Sequence, residues 1–183
     1  MDKEQTHADE GVDPGKQMEL DQGEGQTVDC SKPRRFLILP SHVSMHRSKV
    51  RISSVVTGQT FGADDTILKK VSKGRLYGNV KMTKHLQKCD IIIIFCPIIS
   101  RVGSDVEAAL GNMAGHKPAI LVLMHHTRDV DYSTSGRKWS EKYPNVKLEL
   151  HVLYHETLPG LLDCQQNKEA IKEIQKEIYK HSR

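Results

Sequence analysis

Four consecutive isoleucines, Ile91 to Ile94, stand between Asp90 and Phe95. A continuous β-branched run without polar alternation suits a strand buried on both faces. Such strands belong to parallel sheets that helices cover on each side. A second run, Ala119 to Met124, has the same character. Between the two, residues 103–114 place Val106, Leu110 and Met113 on one face of a helix. Strand, helix and strand in this order predict an open parallel α/β sheet with helices on both faces.

The flanking segments extend the pattern. Val50 to Val56 reads as the first solid strand. Asp64 or Asp65 is a candidate cap for a short helix carrying Ile67, Leu68 and Val71, and Gly74 a candidate end for it. Residues 75–80 suggest a strand and 82–88 a short helix. Pro97 is expected to stop the isoleucine strand. A polar insertion over 126–145 holds the only tryptophan, Trp139. Val146 to Leu153 reads as a strand. Asn167 to His181 reads as a helix with Ala170, Ile171, Ile174 and Ile178 on its apolar stripe. Upstream, Phe36 to Leu39 before Pro40 suggests an edge strand.

The first 32 residues differ in kind. They hold nine acids and only three lysines, a net −6, so against +4 for the whole chain the remainder carries +10. With almost no β-branched or aromatic residues, this stretch cannot bury enough apolar surface to offset its ordering entropy. Residues 1–32 are therefore expected to be a disordered acidic tail, and 33–183 a single α/β domain. The basic domain lacks aromatic–basic interleaving, so nucleic-acid binding is expected to be weak and non-specific. Cys30, Cys89, Cys96 and Cys164 show no metal-ribbon spacing. Cys89 and Cys96 flank the isoleucine strand and read as buried core thiols. No apolar run approaches the roughly 20 residues of a membrane span, and the N-terminus has no apolar leader. A cytoplasmic or nuclear protein with reduced thiols and no membrane partner is expected.

An open α/β sheet seats ligands at the C-terminal ends of its strands. Three segments occupy that rim: Thr57–Gly62, Cys96–Ser104, and the chain from His125 onward. Gly58 lies in a turn whose backbone N–H groups could cradle a ligand, though its two glycines fit neither dinucleotide nor P-loop spacing. His125 is a candidate acid/base group at the rim. Adjacent strand residues point to opposite faces, so His125 and His126 cannot share one site. His151 and His155 have helical spacing in a strand-like stretch. No metal site and no cofactor are expected.

The segment Gly103-Ser-Asp-Val-Glu107, followed by Lys117-Pro and an apolar strand, resembles the nucleoside 2-deoxyribosyltransferase superfamily. The resemblance covers roughly residues 50–124 and implies a flavodoxin-like fold. It implies that Glu107 is the nucleophile that attacks an anomeric carbon. It implies that Gly103, Ser104 and Asp105 help hold a nucleotide-like ligand beside the helix start. The chain departs from that family at Thr57-Gly-Gln-Thr-Phe-Gly62, where the family has a Gly-Pro-Phe turn. Ser104-x-x-Glu107 is also a capping box, which accounts for both residues without chemistry.

The longer pattern is similar to a family of small fish proteins. It runs from Cys89 through Gly103-Ser-Asp-Val-Glu-Ala-Ala and Lys117 to Thr127, with His155-Glu156 and Gly160-Leu-Leu-Asp-Cys164 beyond. Some members of that family are induced by virus or interferon. That similarity implies a role in innate antiviral defence or its regulation. The expected function is therefore a non-enzymatic or weakly active binding domain, with a nucleotide-like small molecule or a protein as partner. The alternative is a nucleoside or nucleotide N-glycosidase, or a deoxyribosyltransferase, using Glu107.

Overall fold

The computed structural model describes residues 49–73, 80–111, 117–134, 136 and 138–182. The acidic tail, the edge strand at 36–39, the strand expected at 75–79, the helix end at Gly74 and the side chain of Met113 lie outside the described residues.

Five parallel strands form one sheet: β1 (Val50–Val56), β2 (Val80–Met82), β3 (Ile91–Ile98), β4 (Ala119–His126) and β5 (Val146–Tyr154). Their order is β2-β1-β3-β4-β5, the flavodoxin-like arrangement. The helices are α1 (Ala63–Ser72), α2 (Val102–Gly111) and α3 (Gln165–Lys180). No helix among the described residues is long and apolar enough to cross a membrane.

The isoleucine run explains the layering. Ile91, Ile93 and Phe95 join Val122, Met124 and Val152 under α1 and α3, with Ile67 and Ile174. Ile92, Ile94 and Cys96 point the other way, to Leu121, Leu123 and the Val106–Leu110 stripe of α2. Cys89 and Cys96 are free thiols and fully buried, as expected. Trp139, in a 3₁₀ turn over Trp139–Glu141, is also buried on this second face. The polar insertion thus covers the sheet where no helix stands between β4 and β5.

Some boundaries differ from expectation. Pro97 does not stop β3, which runs on to Ile98 with Pro97 opposite Met124. Phe95 turns its carbonyl to β1, where Thr57 donates to it. Pro97 has the same orientation two residues later, on the side where the β1 ladder has already ended at Val56, so its missing N–H costs no ladder bond. Neither Asp64 nor Asp65 caps α1. Gly62 holds that position at φ +82 with no side-chain cap. The two aspartates instead occupy the first turn, where the helix dipole favours negative charge. The segment 82–88 is helical only as a 3₁₀ turn at Leu86–Lys88.

Candidate functional site

At the β1/β3 boundary the chain leaves β1 toward one edge of the sheet and β3 toward the other. Their C-terminal loops diverge and open a cleft, the topological switch point. Its volume is about 440 Å³, and its walls include Val55, Val56, Thr57, Leu86, Pro97 and Ile99. Thr57 is fixed by its N–H and hydroxyl, which both donate to the Phe95 carbonyl at 3.0 and 3.2 Å. Gly58 lies against the opposite wall, where a Cβ would meet Pro97 and Ile99 at 3.4 Å. Ile99 is 76% exposed, and Val56 and Leu86 are exposed beside it. The two-residue approach from β2 through Leu86 brings no helix over this part of the sheet.

Asp105 closes the end of the cleft. One carboxylate oxygen accepts the N–H groups of Ile99 and Ser100 at 2.8 and 2.9 Å, and the other accepts the Ser100 hydroxyl at 2.9 Å. Burial pushes this carboxyl up, but the three hydrogen bonds outweigh it and hold it below its ordinary value. Asp105 is thus the brace of the β3–α2 turn.

The capping box expected at Ser104 and Glu107 is not formed at the helix start. Helix α2 begins at Val102, so Ser104 is inside the first turn rather than before it. Ser104 is exposed there. Glu107 is turned toward the 139–142 segment, where its Oε1 accepts from Lys142 Nζ at 2.5 Å, both side chains largely exposed. The hydrogen bond to Glu107 raises the Lys142 ammonium above its ordinary value. Gly103 lies beneath Trp139, whose Cη2 is 3.7 Å from the position a Cβ would take. Of the residues singled out in the sequence, the structure gathers Gly58 and Asp105 at the cleft. It places Ser104 on the outer turn, Gly103 under Trp139 and Glu107 beside Lys142.

The histidines divide by strand alternation. His125 points to the α2 face, is 7% exposed, and sets its Nε2 2.8 Å from Nδ1 of His151, with the rings stacked at 5.1 Å. Burial, aided by His151, lowers the His125 imidazolium to about 4, and burial lowers His151 as well. A neutral ring with so low a pKa is a weak general base at pH 7.

His126 points to the α1 face beside Phe61 and Tyr154. It stacks on His155 at 4.7 Å, and its Nε2 contacts the Glu156 carboxylate. His155 Nε2 is 3.4 Å from that carboxylate. The Tyr154 hydroxyl donates to the Gln59 carbonyl at 3.1 Å and ties β5 to the loop before α1. In that loop Phe61 holds φ +51, a backbone region costly for a bulky residue. Sequence reasoning missed the His126–His155–Glu156 group. The signal was present as two histidine-bearing strand ends, His125-His126 and His155-Glu156, but it needed the β4–β5 register, which sets His126 opposite Tyr154.

The opposite edge of the sheet carries a basic groove of about 630 Å³ lined by Lys49, Arg51, Lys117, Lys180 and His181. Its one acid, Asp90, is paired with Arg51 at 2.8 Å.

No model of a known protein family matches this chain, and a comparison with curated proteins finds no match.

Proposed function

We propose that the domain is a binding module for a small, uncharged, flat molecule of nucleoside type, seated in the cleft between β1 and β3 without being cleaved. The defence or regulatory role implied by the sequence resemblance fits such a module. The observation that carries this reading is the cleft lining. Ile99, Val56 and Leu86 leave apolar surface in water at the place where open α/β sheets seat ligands. Its described lining has no lysine or arginine to hold a phosphate. Its one carboxylate, Asp105, is already engaged by Ile99 and Ser100. Glu107, the group an N-glycosidase would need at the anomeric carbon, is not among the cleft-lining residues and has Lys142 as a partner.

The test incubates the purified chain with a panel of nucleosides, nucleotides and NAD, measuring binding calorimetrically and free base chromatographically. Saturable binding of a nucleoside is expected, weakened about tenfold or more by Ile99→Asp, which puts a charge into the apolar wall. No free base is expected, and Glu107→Gln is expected to be silent. Free base from the wild type that disappears in Glu107→Gln would establish the glycosidase instead. Failure of every panel member to bind would overturn the binding reading.

A further inference from the structure

We propose that His126, His155 and Glu156 form a binding site for a divalent transition-metal cation of the zinc class at the C-terminal ends of β4 and β5. One ligand atom from each residue lies within 4.8 Å of the other two. Two imidazole nitrogens and one carboxylate oxygen are a donor set that suits Zn²⁺ and its first-row neighbours, whereas Mg²⁺ and Ca²⁺ prefer oxygen alone. Metal–ligand bonds of about 2.0–2.2 Å place ligand atoms roughly 3.3 Å apart in a tetrahedral site. Closing from the present separations needs only side-chain rotation, and His126 and Glu156 stand exposed enough to rotate. Three protein ligands leave a fourth position open for water or another ligand.

The scaffold around these residues is that of a prepared site. The parallel register sets His126 opposite Tyr154, so His155 follows at the end of the neighbouring strand. The stacked rings turn their Nε2 atoms toward the same carboxylate. Phe61 and Tyr154 stand against His126 and limit water on that side. Behind His155, Nδ1 is 2.9 Å from the Thr157 hydroxyl, which also accepts from Arg128 Nη2 at 3.0 Å. Without metal, Nδ1 accepts the Thr157 N–H at 3.2 Å. A cation at Nε2 selects the other tautomer, in which Nδ1–H donates to the Thr157 hydroxyl and the Nε2 lone pair faces the ion. Ligating histidines are commonly oriented by such an outer partner. Arg128 contacts the far side of this ring, at Nδ1, and Thr157.

A simple exposed ion pair between His126 and Glu156 would predict none of the following. The chelator-stripped full chain is titrated with Zn²⁺ against a chromophoric competitor, and separately with Co²⁺ to follow its visible d–d bands. A single equivalent binding at micromolar concentration or tighter is expected, about tenfold or more weaker in His126→Ala, His155→Ala and Glu156→Gln. The Co²⁺ bands should be lost in all three. Zn²⁺ should raise the melting temperature of the wild type but not of these variants. Thr157→Val should weaken binding without removing a ligand, and His85→Ala should leave it unchanged. The chain has further histidines at 7, 42, 46 and 116, so binding elsewhere would survive these substitutions. Affinity no tighter than millimolar, or affinity unchanged in His126→Ala and Glu156→Gln, would overturn the site. Should His126→Ala fail to fold, the exposed Glu156→Gln carries the same decision.

Discussion

The side-chain amide of Asn167 completes the hydrogen bonding of Leu153 in the outermost strand, β5. Its Oδ1 accepts the Leu153 N–H at 2.8 Å, and its Nδ2 donates to the Leu153 carbonyl at 2.8 Å and to the Leu162 carbonyl at 2.8 Å. Asn167 is buried, so these backbone groups have no water to fall back on. Asn167→Ala should cost on the order of 1–3 kcal/mol for a group left unsatisfied, measured by chemical denaturation. A variant as stable as wild type would show that the edge is closed by other means.

Asp105 and Ser104 are neighbours with opposite expectations. Asp105→Ala removes the acceptor of three hydrogen bonds at the β3–α2 turn and should cost about 0.5–2 kcal/mol, the range of a lost helix cap. Ser104→Ala, in the exposed first turn, should stay within about 0.5 kcal/mol. The folded-state pKa of Asp105 is lowered, so its contribution is present above the ordinary carboxylate range and fades as pH falls through the folded value. Denaturation midpoints at neutral and acid pH, compared between wild type and Asp105→Ala, should therefore converge in acid.

Gly160 tests backbone strain against steric contact. It holds φ +80, and a Cβ there would lie 2.5 Å from Thr66 Oγ1. Gly160→Ala should destabilise by more than the roughly 1–2 kcal/mol of a left-handed alanine alone. Adding Thr66→Ala should recover the steric part and leave the conformational part. Additive effects in the double variant would show that the two residues do not press on one another.

The basic groove at the N-terminal edge should give the domain a generic attraction for polyanions. Binding to a random DNA duplex is expected to be weak, with log affinity falling linearly in log salt. Lys49→Glu with Lys180→Glu should reduce both the affinity and the salt slope. Binding that survives physiological salt and discriminates between sequences would point to a recognition surface instead.

The sequence by itself determined the class of fold. Four isoleucines in a row can be satisfied only by a strand covered on both faces, and the Ala119–Met124 run repeats the demand, so the parallel sheet and its flanking helices were legible. It also determined that His125 and His126 face apart, because alternation is a local property of a strand. The tertiary structure alone decided which residues meet. The brace from Asp105 to Ile99, the partnering of Glu107 by Lys142 and the gathering of His126, His155 and Glu156 depend on turn geometry and on the β4–β5 register. Those are settled by packing between segments about 30 residues apart, and no spacing along the chain encodes them. The same reason separates Pro97 from its local signal. A proline reads as a strand end until the neighbouring strand shows that its missing N–H faces a place where no ladder partner stands.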